Sequence, residues 1–171
     1  SVEGNKNTIT SGNNNTIKGN ENNVSFGNSN WINGYQNRLY GVDNLIIGDI
    51  NGVKGNSNVI KNGSQNVVIG NGNGILNGIG NGVNGSLNNI TGSYNIISSD
   101  QNSVNGNKNF VEGLQNLIFG ELNKVNGNLN AVEGSNNTLQ GQSNKVQGNS
   151  NQAQGSANKI FGSSNIFDGS N

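Results

Sequence analysis

Cysteine, histidine, proline and methionine are all missing from the 171 residues, and these absences close off whole classes of chemistry. Without Cys and His there is no disulfide, no zinc site built on thiolate or imidazole, and no nucleophile–histidine pair. Charge is also scarce, at 11% of residues, and nine basic side chains cancel nine acidic ones. The Lys and Arg residues are scattered, so the clustered positive charge that a phosphate backbone demands is missing and no nucleic-acid partner is expected. No stretch approaches the roughly 20 apolar residues of a membrane span. The carboxylates are too dispersed to nominate an acid/base pair. No catalytic residue, cofactor or metal site is expected, and the chain reads as non-enzymatic. The sequence does not start with Met, which points to a processed chain or a fragment and to an extracellular, secreted location.

What is present is Asn, together with 28 Gly and a modest 29% of hydrophobic residues. Few apolar residues with little charge is an unusual pairing, because disordered chains normally combine low hydrophobicity with high net charge. A repeat decides the matter. From Gly4 to Asp168 the chain divides into 23 units of the form Gly-x-x-Asn-x-apolar-x. The fourth position is Asn throughout, from Asn7, Asn15 and Asn22 to Asn165. The sixth is apolar throughout, from Ile9, Ile17 and Val24 to Ile160 and Phe167. The first is Gly except at Ser99. Four units carry an extra residue, seen as eight-residue spacings at Asn7–Asn15, Asn22–Asn30, Asn58–Asn66 and Asn73–Asn81. No linker interrupts the series, so residues 1–171 form a single repeat domain.

A seven-residue period would suit a coiled coil, but that needs two apolar positions per heptad among good helix formers. Here there is one, and a Gly costing roughly 1 kcal/mol per helical site recurs in register. The strand reading accounts for each fixed position. Side chains alternate, so Asn and the apolar residue point inward while the fifth and seventh positions point out. Gly permits the positive φ or close approach of a sharp corner. A short strand cannot bury its one apolar side chain alone, so strands stack, Asn falls on Asn, and the amides bond from rung to rung. An unpaired buried amide would cost roughly 1–3 kcal/mol. Two heptads per turn make a flattened two-sided coil of about 14 residues, while three would leave an interior too wide for one apolar residue per side. The expected fold is an all-β, two-sheet β-solenoid of about 12 coils, roughly 55–60 Å long at about 4.8 Å per rung.

The stretches NNNTIKG, GNENNV, NVIKNG and SNNTLQG carry a tandem x-x-N-x-V-x-G motif. In this the chain resembles the ice-recrystallisation-inhibition, or antifreeze, repeats of cold-tolerant grasses, and the resemblance runs unit by unit along the whole chain. It implies a left-handed two-sheet β-roll with inward Val, Asn ladders at the turns, and one flat face of Thr, Ser and Val that binds ice.

The outward positions give the functional expectations. If heptads alternate between faces, Thr8, Thr10 and Thr138 fall on one side, and Thr16 and Thr91 on the other. These are the candidate ice-contacting residues. Lys, Glu, Arg and aromatic residues interrupt both faces. Trp31, Leu45, Ile47 and Val59 would form a lateral apolar patch on successive coils, with Val67/Ile69 and Leu117/Phe119 as further patches for a neighbouring subunit. The ends look uncapped: Ser1, Val2 and Glu3 fill positions five to seven of a unit, and Gly169, Ser170 and Asn171 fill positions one to three. Open strand edges template pairing with another chain. The leading expectation is therefore a structural protein that self-assembles head-to-tail into a filament. The alternative is an ice-binding protein that uses one flat face.

Overall fold

The computed structural model describes residues 1–169. Its strands, each two to four residues long, fall into two parallel sheets of twelve. The first sheet starts with Val2–Glu3, Thr16–Lys18 and Trp31–Asn33 and ends with Lys159–Phe161. The second starts with Thr8–Ile9, Asn23–Phe26 and Arg38–Tyr40 and ends with Ile166–Asp168. Successive strands in the chain alternate between sheets, so each coil contributes one strand to each. Strand partners are 14 residues apart, as in Trp31↔Leu45, or 15 where a coil holds an extra residue, as in Val2↔Ile17. The two-sided coil is thus the observed architecture, and among the described residues there is no helix.

The core is two facing rows of single side chains. Every sixth-position residue from Ile17 to Ile160 is buried, and Ile9 and Phe167 pack against the rows at either end. Burying a Val, Leu or Ile contributes about 1.5–3 kcal/mol, so one such residue per strand supplies the main apolar stabilisation. Surface charge adds little. The ion pairs among the described residues are Lys6–Glu21 at 3.8 Å and Lys18–Glu3 at 3.4 Å, both solvent-facing, where water and salt screen the attraction.

The fourth-position Asn residues form two ladders flanking that core, and from Asn15 to Asn158 they are buried. At a central rung, Asn109 Nδ2 donates to Asn95 Oδ1 in the coil before (3.0 Å) and to the Gly120 carbonyl in the coil after (2.8 Å). Its Oδ1 accepts from the backbone N–H and the Nδ2 of Asn123, at 3.0 and 3.1 Å. Both amide hydrogens and both lone pairs are used, which is why a polar residue can be buried at this density.

The corners are held by close approach. At Gly127, whose φ is +134°, an added Cβ would fall on the carbonyl of Gly141 in the next coil. The third position of every unit also has positive φ, near +57°, and there the residue is seldom Gly: Ile50, Leu87, Tyr94 and Leu129 all adopt it. The corner therefore uses two left-handed residues, not the first-position Gly alone. A second, outer ladder runs along the turns. The second-position side chain of one coil accepts the N–H of the coil before, as in Tyr35 N–H to Asp49 Oδ1 (2.8 Å) and Ser93 N–H to Asn107 Oδ1 (2.8 Å).

The four extra residues are stacked in pairs. Ser11 and Phe26 both precede a first-position Gly on adjacent coils, where Gly27 N–H donates to the Ser11 carbonyl at 3.2 Å, and the residue left unpaired is Ser25, within the strand Asn23–Phe26. The register shifts at Val24/Phe26, and Phe26 meets Tyr40 edge-on with ring centroids 5.6 Å apart. Asn62 and Asn77 enlarge the opposite turn, where Asn62 Nδ2 donates to Asn77 Oδ1 at 3.2 Å. A bulge is accommodated because the neighbouring coil carries the same bulge.

Candidate binding surfaces

The two flat faces carry the outward fifth and seventh positions of each strand. Among the described residues no group of three or more His, Cys, Asp or Glu could hold a metal ion, and no helix is long and apolar enough to cross a membrane. The chemistry available is that of an ordered surface.

Trp31, Leu45 and Val59 are direct strand partners on the first sheet, and Ile47 lies beside them opposite Asn33 and Lys61. The expected lateral patch is therefore contiguous, with Trp31 about half exposed. Val67 and Ile69 stand exposed on the second sheet. Their row continues through Gly82 to Ile96 and Phe110, an extension that the sequence reading did not include. Leu117 and Phe119 are exposed on the first sheet beside Ala131 and Glu133. The threonines do not share one face: Thr8 and Thr138 are on the second sheet, Thr16 and Thr91 on the first. Thr10 follows the strand Thr8–Ile9 and donates its N–H to the Val24 carbonyl at 2.9 Å.

At the ends, Val2 pairs with Ile17 and stays half exposed. The Ser1 ammonium donates to the Asn15 carbonyl at 2.9 Å, and Glu3 pairs with Lys18. Gly169 donates its N–H to the Gln154 carbonyl and accepts from Asn158 Nδ2, both at 3.0 Å. Ser170 and Asn171 lie outside the described residues.

The faces differ in where charge interrupts them. On the first sheet the outward positions from Gly74 to Ala131 carry no charge, between Lys61 on one side and Glu133 on the other. They comprise Gly74/Leu76, Asn89/Thr91, Ser103/Asn105, Leu117/Phe119 and Ala131, in unbroken register. The corresponding window on the second sheet, Val67 to Phe110, is shorter and ends at Glu112. Charge also collects at one turn near the first coils. Gln36 Nε2 donates to Glu21 Oε2 at 2.8 Å, and the Tyr35 hydroxyl donates to the same oxygen at 3.2 Å. The Gln36 amide is the main cause that holds the Glu21 carboxyl below its ordinary value. Desolvation is the next cause and opposes it, while Tyr35 and then Lys6 add to the lowering. Tyr35 is pushed up, by desolvation first and then by the Glu21 charge.

A tandem-repeat β-roll with paired amide ladders, a one-residue-wide core and two flat parallel faces is the class of protein these features define. The family model described as the grass antifreeze beta roll matches residues 39–134 and 92–171, and the chain belongs to that family. No curated protein matches the chain.

Proposed function

We propose that this chain binds ice and restrains ice recrystallisation through the central window of its first sheet. The observation that carries the proposal is the run of uncharged outward positions from Gly74 to Ala131 on strands in continuous register. Parallel strands about 4.8 Å apart, with same-face residues about 6.6 Å apart along each strand, fix a two-dimensional lattice of side chains. Hydroxyls, amides and methyl groups on such a lattice can order a layer of water. Lys or Glu would keep that water liquid-like by its own hydration. The backbone supplies the flatness, because every rung is bonded to both neighbours. Family membership supports the same reading, which also places the working protein where extracellular ice grows and gives it a non-enzymatic role.

The test compares Thr91→Lys/Ser103→Lys on the first sheet with Asn84→Lys/Ser98→Lys on the second, scoring crystal growth in annealed frozen films. The first pair should abolish inhibition and the second should leave it. The reverse outcome moves the site to the second sheet, and a wild-type protein without effect on crystal size sinks the reading.

A further inference from the structure

The sequence contains ten Asn-Gly steps. Such steps can undergo spontaneous deamidation, because Gly puts little bulk in the way of its own nitrogen. The Gly nitrogen attacks Cγ of the Asn side chain, a new N–Cγ bond forms, and the Cγ–Nδ2 bond breaks. Ammonia leaves, carrying the proton lost by the Gly N–H. Water then opens the cyclic imide at either carbonyl, giving aspartate or an isoaspartyl linkage. The step needs an accessible side chain, a backbone free to turn, and a Gly N–H not already held by an acceptor.

The fold sorts the ten steps by these criteria. Asn51, Asn73 and Asn81 are ladder rungs: they are buried, their amides are bonded above and below, and the following N–H groups donate at 2.8 to 2.9 Å. Asn33, Asn84, Asn105 and Asn126 are exposed but lie within strands, and the following Gly N–H donates to the preceding coil at 2.9 Å in each case. Gly72 N–H, after Asn71, is held at 2.9 Å by the Asn56 carbonyl. The two bulge residues differ from all of these. Asn62 and Asn77 are exposed, lie outside strands and have φ of +53°. Gly63 N–H reaches the Ile47 carbonyl only at 3.4 Å.

At Asn77 the extra residue has a further consequence. Its own N–H takes the Lys61 carbonyl at 3.0 Å, the acceptor that would otherwise serve Gly78. Among the described residues the Gly78 N–H donates to nothing. Asn62 Nδ2 meanwhile donates to Asn77 Oδ1, which polarises the carbonyl under attack. We infer that Asn77 is the principal deamidation site of this protein: its Gly78 nucleophile is unengaged, its side chain is exposed and its carbonyl is polarised by Asn62. Asn62 comes second. The product carboxylate would stand next to Leu76, at the margin of the uncharged window, so this modification introduces charge at one end of that face as the protein ages.

The experiment is a time course of the whole chain in mildly alkaline buffer, native and in denaturant, followed by peptide mass mapping and isoaspartyl detection. In the native protein Asn77 should lose its amide roughly tenfold faster than Asn33, Asn84, Asn105 or Asn126, a ratio set by the lost hydrogen bond and strand restraint. In denaturant the ten steps should converge to within about twofold as those restraints vanish. Asn77→Ser should remove the first event and leave the rates elsewhere unchanged. Equal native rates at Asn77 and the strand asparagines, or early mass gain that persists in Asn77→Ser, would overturn the assignment.

Discussion

Asn109 and Asn123 stand one coil apart, with Oδ1 of Asn109 accepting both the backbone N–H and the side-chain amide of Asn123. One oxygen thus ties the main chain and the side chain of the next rung, and the pattern repeats along both ladders. The ladder is a load shared between coils, so a break in mid-stack should cost more than a break at an edge.

Asn109→Ala removes four side-chain hydrogen bonds and leaves Asn123 N–H, Gly120 O and one lone pair of Asn95 Oδ1 without these partners. Each buried unpaired group costs about 1–3 kcal/mol, so a loss of at least ~3 kcal/mol is expected. Asn165→Ala removes the amide bond to Asn151 at an exposed rung, where water can replace the lost partner, and should cost under about 1 kcal/mol. Urea denaturation followed by circular dichroism measures both. Equal losses would mean that the amides are not cooperative along the stack.

How far the sequence foretold this depends on the position within the unit. The fourth and sixth positions were readable because one physical demand, facing inward beside an identical neighbour, falls on every unit, as at Asn37 and Leu39. The first-position Gly was readable because a carbonyl of the next coil fills the space of its Cβ. The left-handed third position was not readable, since Ile50, Tyr94 and Leu122 are not residues that favour positive φ. There the stacked corner imposes the conformation. Nor did the eight-residue spacings alone reveal that Ser11 lies over Phe26 and Asn62 over Asn77, because that pairing requires knowing which turn each unit feeds. The uncharged window on the first sheet follows from the outward residues, but only once continuous register is established does it become a surface.

A pair of glycines separates the two uses of Gly in this fold. Gly127→Ala would place a methyl against the Gly141 carbonyl at a φ of +134°, and should cost more than about 3 kcal/mol. Gly82 lies within a strand on the second sheet, and an added Cβ there meets nothing within 4 Å. Gly82→Ala should be stabilising by about 0.5–1 kcal/mol, through lower unfolded-state entropy. Thermal melts of the two variants should move in opposite directions.

The Glu21 turn gives a pH signature. Its carboxyl is held below the ordinary value chiefly by the Gln36 amide, so the folded state binds its proton more weakly than the unfolded state does. The associated stabilisation is present above the unfolded carboxylate range and is lost as pH falls through the lowered value. Gln36→Ala should raise the Glu21 titration midpoint toward that of a free glutamate and soften the acid dependence of unfolding. Carbon-detected NMR titration of the Glu21 side chain is the measurement, and an unmoved midpoint would count against Gln36 as the main cause.

Ser99 is where the repeat departs from its own rule, and the structure bears the mark. It occupies a first position with φ of +116°, a conformation costly for any residue with a Cβ. By the geometry of equivalent glycines, that Cβ is directed at the turn of the next coil, here Gly113. Two consequences appear there. Gly113 N–H reaches the Ser98 carbonyl at 3.2 Å, where the neighbouring turns show 2.9 Å. Asn102 Nδ2 keeps its bond to Asn88 Oδ1 at 3.2 Å, but the bond to the next turn's carbonyl that Asn95 and Asn109 make at 2.8 Å is missing at Asn102. Ser99→Gly relieves the backbone conformation and lets Gly113 close up. Released strain and one regained amide bond together should stabilise the protein by about 1–2 kcal/mol, and Ser99→Ala should give no such gain because it keeps the Cβ. Differential scanning calorimetry of the two variants checks this. A rise in Tm for both, or for neither, would show that the Cβ is not what holds these two coils apart.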